Sequence, residues 1–171
     1  MKKILIFEYI TGGGLIDKKI THTLTDEANI ILGSLIDNPS ISTHFFCDYR
    51  NKYKNHKNAI LVTSQNKNII YDANLINSYD YFLPICPETD LTFYEYIKKI
   101  YNSVKNMNIS SLDSLLATSD KYLLKKICKK NNIPNPDSYV SKSKNKLYII
   151  KDRFGCGSSY IELSNQVVKN I

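Results

Sequence analysis

Short apolar runs alternate with polar stretches along the first half of the chain, and their lengths are typical of β-strands. The run at residues 3–7, KILIF, is almost continuously apolar, which indicates a central strand of a parallel sheet. Similar runs predict further strands at residues 43–47, 59–63 and 79–85, with residues 68–71 as a weaker candidate. These runs predict a sheet as the frame of the first half.

Two amphipathic helices are predicted between and after these strands. Thr23 and Asp26 have the spacing of a capping box, and apolar residues then recur at helical spacing over residues 28–36. A second helix is predicted over residues 91–107, where one face is apolar and the other carries lysines. The order strand–helix–strand–strand–helix predicts an α/β fold, with a small doubly wound domain at residues 1–107.

Residues 108–171 are predicted to form a second, smaller domain. Residues 108–116 read as a connection, after which a helix opens at Ser119 and Asp120. Two asparagines and two prolines end that helix within residues 131–136. Three short strands are predicted at residues 139–140, 147–150 and 160–163.

A cation at a strand end beside a glycine-rich loop can hold a polyphosphate, because amides and hydroxyls donate to its oxygens and the ammonium adds charge. The residues with this pattern are Lys151, Gly155, Cys156, Gly157, Ser158 and Ser159. A plain hairpin whose lysine faces water explains the same residues. Lys121 leaves the same choice open, since a cation in the first turn of a helix is unfavourable unless an anion lies nearby.

Two further segments follow predicted strands of the first domain. Gly12, Gly13 and Gly14 follow the first strand, where they allow either close approach of a ligand or a sharp turn of the chain. Glu88 comes just after the strand at residues 79–85, at the sheet edge where α/β proteins bind ligands. A carboxylate that caps the following helix is the other interpretation of Glu88.

The net charge of +7 does not indicate a nucleic-acid-binding protein. All but two of the 23 basic residues are lysines, and they are scattered along the chain. Proteins that bind nucleic acids use arginine for bidentate contacts with phosphates and bases. A solvated, lysine-rich surface is the simpler interpretation.

The cysteines and the start of the chain indicate a cytoplasmic protein. Cys47, Cys86, Cys128 and Cys156 include no C-x-x-C pair, so they read as reduced thiols. The apolar start of the chain is interrupted by Glu8 and lacks a cleavage pattern, so it is interpreted as a strand and not as an export signal. No apolar run is long enough to cross a membrane.

The second half resembles the ATP-grasp superfamily. The resemblance lies in Ser119-Asp120-Lys121, the helix that ends in Asn132-Ile133-Pro134, and the strand-end Lys151 before a glycine-rich loop. It implies that Lys121 and Lys151 contact the phosphates of ATP and that Gly155, Cys156, Gly157, Ser158 and Ser159 close over them. It also implies a pre-ATP-grasp domain followed by the first, N-terminal lobe of an ATP-grasp fold, with ATP and Mg²⁺ as cofactors.

The first half is similar to the branch that contains tyramine–L-glutamate ligase, through residues 7–14 and through Ile85-Cys86-Pro87-Glu88. That branch is associated with methanofuran-type cofactor biosynthesis. The resemblance implies an ATP-dependent carboxylate–amine ligase that forms an amide through an acyl phosphate, with glutamate and an amine such as tyramine as substrates. Gly12, Gly13, Gly14 and Glu88 are then expected on the substrate side.

Two departures from the family pattern lead to an alternative to an active ligase. Asp152 stands where relatives have proline, and an acid beside a phosphate-binding lysine weakens anion binding unless it points away. The second ATP-grasp lobe, with its metal ligands, has no counterpart before Ile171, so no metal-binding residue is assigned. The alternative is a non-catalytic fragment that binds nucleotides or anions, or one that a second polypeptide completes.

Overall fold

The computed structural model of the chain describes residues 2–36, 41–136, 148–155 and 161–164. The chain divides into two compact units. The first unit comprises Met1–Cys86 and Tyr96–Ile109, and the second comprises Pro87–Glu95 and Ser110–Ile171. Each unit has its own β-sheet.

The first unit is built on a four-stranded parallel sheet. Its strands are β1 (Lys3–Glu8), β2 (Ser42–Asp48), β3 (Ala59–Val62) and β4 (Tyr81–Ile85), in the order β3-β2-β1-β4. The four main strand predictions are therefore confirmed, with ends that shift by one or two residues. Because the order turns back at β1, the carboxyl ends of β1 and β4 flank a topological switch point, where α/β sheets bind ligands.

Helices lie on both faces of this sheet. They are α1 (His22–Ile36), α2 (Ala73–Asn77) and α3 (Thr92–Ile100), the last of which enters the first unit at Tyr96. On one face, Leu32 of α1 packs against Ile6 and Phe45. On the other, the ring of Phe7 stacks on Tyr96 with 4.5 Å between ring centroids. Burial on both faces explains why the run at β1 is almost continuously apolar.

A predicted capping box and a predicted strand are both wrong in this unit. The helix α1 begins at His22, so Thr23 and Asp26 lie inside it and form no capping box. Residues 68–71 are not a strand, because Lys67–Tyr71 forms a 3₁₀ turn. The side chain of Asn66 ends β3 there, since it accepts the N–H of Thr63 at 2.7 Å and donates to the carbonyl of Leu61.

The helix predicted over residues 91–107 is shorter in the structure, since α3 ends at Ile100. Val104 continues the apolar spacing and is buried, but the chain beyond it runs beside the edge strand β4 and hydrogen-bonds to it. Asn106 accepts the N–H of Phe82 at its carbonyl and donates its side-chain amide to the carbonyls of Ile76 and Tyr79. The spacing of apolar residues carries no information about these hydrogen bonds of Asn106, so it could not predict that the helix ends before residue 107.

The second unit contains two helices and a two-stranded sheet. They are α4 (Leu112–Ser119), α5 (Lys121–Lys130), β5 (Tyr148–Lys151) and β6 (Ile161–Ser164). The helix α4 replaces most of the predicted connection at residues 108–116, and the Ser111 side chain accepts the N–H of Ser114 at its start. β5 and β6 pair antiparallel and correspond to the strands predicted at residues 147–150 and 160–163, whereas the strand predicted at residues 139–140 lies outside the described residues.

The α/β fold class predicted from the sequence is confirmed by the parallel sheet and the helices on its two faces. Within the described ranges, none of the helices combines the length and apolarity that crossing a bilayer requires. Cys47, Cys86 and Cys128 form no disulfide bond.

Candidate functional site

The start of α5 and the loop after β5 lie against each other in the second unit. Lys121 donates its backbone N–H to the carbonyl of Arg153 at 3.3 Å and its Nζ to the carbonyl of Gly155 at 2.5 Å. Asp90 donates its N–H to the carbonyl of Phe154 at 3.1 Å. Three consecutive carbonyls of the loop are thus held by hydrogen bonds.

Asp120 joins α4 to α5 and caps the start of α5. It is only 5% exposed, and its backbone is extended, with φ −103° and ψ 100°. Its carboxylate accepts the N–H of Tyr122 at 2.9 Å and the N–H of Leu123 at 3.1 Å. Because Lys121 donates its own N–H to the loop, the first amides of α5 are all paired within the protein. Attraction for an anion must therefore come from side chains here.

Arg153 forms a two-pronged ion pair with the same carboxylate. Its Nε lies 2.8 Å from Oδ1 of Asp120, and its Nη2 lies 2.6 Å from Oδ2. The guanidinium also lies over the rings of Tyr122 and Phe154, 5.3 and 4.9 Å from their centroids. The hydrogen bonds from Arg153 lower the pKa of Asp120 to about 2, and the hydrogen bond to Asp120 raises the pKa of Arg153.

The stability of this unit should depend on pH through Asp120. Because folding lowers the pKa of Asp120 to about 2, the ionised carboxylate stabilises the fold above pH about 4, and this contribution is lost as the pH falls towards 2. Thermal unfolding of the wild type and of Asp120→Asn, measured from pH 2 to 7, should differ most above pH 5 and converge in acid. A difference in Tm that stays constant with pH would contradict this assignment.

Lys151, Asp152 and Arg153 are exposed, whereas Phe154 and Gly155 are half-buried. Lys151 is the last residue of β5 and lies two residues before Arg153, at most about 7 Å away between Cα atoms. Asp152 packs against Gly155. A Cβ on Gly155 would lie 2.7 Å from the Cβ of Asp152, so glycine is required there.

The predicted phosphate residues fall into three groups. Lys121 and Gly155 are brought into direct contact. Lys151 lies at the end of β5, at the start of the segment that Lys121 contacts. Cys156, Gly157, Ser158 and Ser159 lie outside the described residues. The common phosphate site therefore remains a prediction.

The glycines after β1 are required by the packing of the first unit itself. A Cβ on Gly12 would lie 2.6 Å from the carbonyl oxygen of Glu8, and one on Gly14 would lie 2.5 Å from the ring of Tyr9. Gly13 has φ +95°, and a Cβ there would lie 2.5 Å from Cγ1 of Val62. Of the two interpretations of these glycines, the sharp, tightly packed turn accounts for what is observed.

Glu8 organises the same turn from the end of β1. It is 4% exposed, and its carboxylate accepts the N–H of Ile10 and both the N–H and the hydroxyl of Thr11. Burial and the nearby charge of Glu8 raise the pKa of the Cys86 thiol. Cys86 therefore stays protonated at neutral pH, which makes it a poor nucleophile.

Glu88 is exposed and precedes a strained turn of the second unit. Its side chain makes no capping hydrogen bond to the 3₁₀ turn Thr89–Leu91 that follows. Within that turn, Asp90 and Leu91 have φ values of 53° and 59°, in the left-handed region that favours glycine. The helix-capping interpretation of Glu88 is therefore not supported, and its role on the substrate side remains a prediction.

The sequence predictions missed Asp120 and Arg153 as members of this site. Arg153 is one of only two arginines in a chain that otherwise uses lysine. A guanidinium offers a planar fork that an ammonium cannot supply, so an isolated arginine in such a chain is a signal for a bidentate contact. Its partner could not be inferred, because 33 residues separate the two along the chain.

Among the described residues, no group of three or more histidine, cysteine, aspartate or glutamate side chains could hold a metal ion. The cationic groups of this unit that remain available are instead the ammonium groups of Lys121 and Lys151, which suit phosphate oxygens.

No protein-family model matches the chain. No curated protein matches it either.

Solved structures do match. The fold is similar to the crystal structure of a "putative ATP-grasp superfamily protein" from Archaeoglobus fulgidus, with a TM-score of 0.70 and 23% sequence identity. The match covers 98% of this chain and 50% of the other, so the chain spans about half the length of that protein. At this level of identity the likeness concerns the fold. The chain therefore shares its α/β fold with about half of that ATP-grasp superfamily protein.

Proposed function

We propose that the second unit binds the triphosphate of ATP between Lys121 and Lys151, and that the chain is part of an ATP-dependent carboxylate–amine ligase. The observation that carries the proposal is the contact between Lys121 and the carbonyl of Gly155. That contact joins a cationic helix start to the loop that begins at the strand-end Lys151. The fold likeness to an ATP-grasp superfamily protein supports the same function.

The charges of the site suit a polyphosphate. The Lys121 ammonium has three N–H donors, and the carbonyl of Gly155 accepts one of them, so two remain for phosphate oxygens. Arg153 is neutralised by Asp120, and the amides of the helix start are paired. Lys121 and Lys151 are therefore the groups proposed to supply the attraction, with the glycine-rich loop closing over the phosphates.

The proposed reaction forms an amide in two steps. A substrate carboxylate oxygen attacks the γ-phosphorus of ATP, which gives an acyl phosphate and ADP. An amine then attacks the acyl carbon and displaces phosphate. The lysines would offset charge on the phosphoryl oxygens during transfer, and exclusion of water would protect the acyl phosphate from hydrolysis.

The proposed substrates are glutamate and an amine such as tyramine. This proposal rests on the resemblance of residues 7–14 and of Ile85 to Glu88 to the tyramine–glutamate branch. Glu88 is exposed, so its carboxylate is accessible to receive the amine. We further propose that Mg²⁺ enters bound to the nucleotide, since the described residues offer no carboxylate cluster for it.

The remaining groups of the site are proposed to come from protein outside the described residues, or from a second polypeptide. The observation in favour is that the matched Archaeoglobus fulgidus protein is about twice as long as the part that this chain covers.

The phosphate assignment is tested by titrating Mg·ATP against single lysine variants. Lys121→Ala and Lys151→Ala should each weaken binding by about tenfold, since each removes one ammonium–phosphate contact. Lys130→Ala, an exposed residue in the last turn of α5, removes the same charge and should leave the affinity unchanged. Equal affinity of all three variants and the wild type would rule out the proposed site.

A further inference from the structure

We propose that Asp120 and Arg153 are positioning residues, whose ion pair fixes the segment Arg153-Phe154-Gly155 on the start of α5 and so sets where Lys121 and Lys151 present their ammonium groups. This inference rests on the proposed function, because it assigns roles within the same phosphate site. Neither residue is proposed to touch the nucleotide.

One carboxylate holds both segments in place. Oδ1 of Asp120 accepts the N–H groups of Tyr122 and Leu123 and also Nε of Arg153, while Oδ2 accepts Nη2 of Arg153. The start of the helix and the loop after β5 are therefore tied to the same buried group. A fork that engages both oxygens fixes the direction of the arginine as well as its distance, which a single ammonium contact cannot do.

Backbone contacts continue this connection along the loop. The carbonyls of Arg153 and Gly155 accept from Lys121, and the carbonyl of Phe154 accepts from Asp90. The Asp90 donor comes from a turn with two successive left-handed non-glycine residues. Such conformations are unfavourable and persist where surrounding contacts enforce them, often at functional sites. The loop is thus held from two sides before any ligand arrives.

Because Arg153 is paired with Asp120, Arg153 acts on the geometry of the site, and the lysines supply its charge. Because Asp120 neutralises Arg153, the arginine contributes little net attraction for phosphate. The rings of Tyr122 and Phe154 flank the guanidinium and further fix its position. Lys121, in contrast, is fixed by its own backbone N–H and by the Gly155 carbonyl, so its position depends on where the loop lies.

Two variants separate positioning from simple charge. Asp120→Asn removes a negative charge beside the phosphate site, yet asparagine still caps a helix well. A purely electrostatic role predicts tighter Mg·ATP binding, whereas positioning predicts binding weaker by about tenfold, as for the loss of a charge-assisted contact. Arg153→Lys keeps the positive charge but loses the fork, and positioning again predicts weaker binding. Tighter or unchanged binding in both variants would overturn the inference.

Hydrogen exchange gives a second readout that needs no ATP. The amides of Lys121 and Asp90 donate to the loop, so both should exchange faster in Asp120→Asn and Arg153→Lys than in the wild type. Asp17→Asn is the matched control, because it breaks the exposed ion pair with Lys67 in the first unit. It should change neither the exchange of those two amides nor the affinity for Mg·ATP.

The two readouts distinguish the inference from the function on which it rests. If the wild type binds no Mg·ATP, the proposed function fails whatever the exchange rates show. If the wild type binds Mg·ATP, and Asp120→Asn and Arg153→Lys change neither affinity nor exchange, the function stands and the positioning role is wrong.

Discussion

Gly13→Ala is expected to lower the free energy of unfolding of the first unit by about 3 kcal/mol, a sum of overpacking and left-handed strain. The added Cβ would lie 2.5 Å from Cγ1 and 2.8 Å from Cβ of Val62, atoms close to the backbone of β3 that cannot easily swing away. The backbone at Gly13 has φ +95°, which any side chain disfavours. The turn must therefore shift or remain strained.

Urea unfolding of three further variants isolates the cause. Gly33→Ala is the matched control, since its Cβ would meet only the hydroxyl end of Tyr53, and we expect a change within about 1 kcal/mol. Val62→Ala removes the two Cγ atoms, so the double variant Gly13→Ala/Val62→Ala should lose less stability than the two single changes added together. Equal losses for Gly13→Ala and Gly33→Ala would contradict the account of this turn.

Phe7→Ala is expected to cost about 3–5 kcal/mol of stability, the range for removing a buried aromatic side chain from a core. Phe7 is fully buried in β1. Its ring stacks on Tyr96 at 4.5 Å and meets Phe46 edge-on at 5.9 Å. The substitution would leave a cavity between the sheet and α3, directly beneath the turn that contains Gly12.

The control for Phe7→Ala is Tyr49→Ala. Tyr49 follows β2 in the same unit and is 46% exposed, so its truncation should cost less than about 1 kcal/mol. The midpoint of urea unfolding should fall strongly for Phe7→Ala and little for Tyr49→Ala. Similar midpoints for the two variants would mean that Phe7 does not anchor the core.

The strands of the first unit could be predicted because burial leaves a local signature. Both faces of β1 are covered, so its residues read as one apolar run. Hydrophobic periodicity predicted the wrong element ends where hydrogen bonds of a polar residue determine the path of the backbone. Asn66 ends β3 and starts the 3₁₀ turn Lys67–Tyr71, and Asn106 draws the chain onto the edge of β4 beyond α3. Neither hydrogen-bonding arrangement has a repeating pattern in the sequence.

The candidate site likewise contains one residue that the sequence could predict and contacts that it could not. Lys121 could be predicted as a candidate site residue because a cation in the first turn of a helix is unfavourable without a partner. In the structure its Nζ donates to the carbonyl of Gly155. The pairing of Asp120 with Arg153 was not predictable, since it joins two distant segments and depends on the path of the chain between them. The same is true of the backbone contact between Asp90 and Phe154.

The central claim is that Lys121 and Lys151 bind one triphosphate, and inorganic tripolyphosphate tests it most directly because it carries the phosphate chain without adenosine. Its affinity should be measured at fixed ionic strength for the wild type and for two double variants of equal net charge, Lys121→Ala/Lys151→Ala and Lys129→Ala/Lys130→Ala. We predict a loss of about 100-fold for the first double variant, from two ammonium contacts, and wild-type affinity for the second. Equal affinities of the two double variants would contradict the claim.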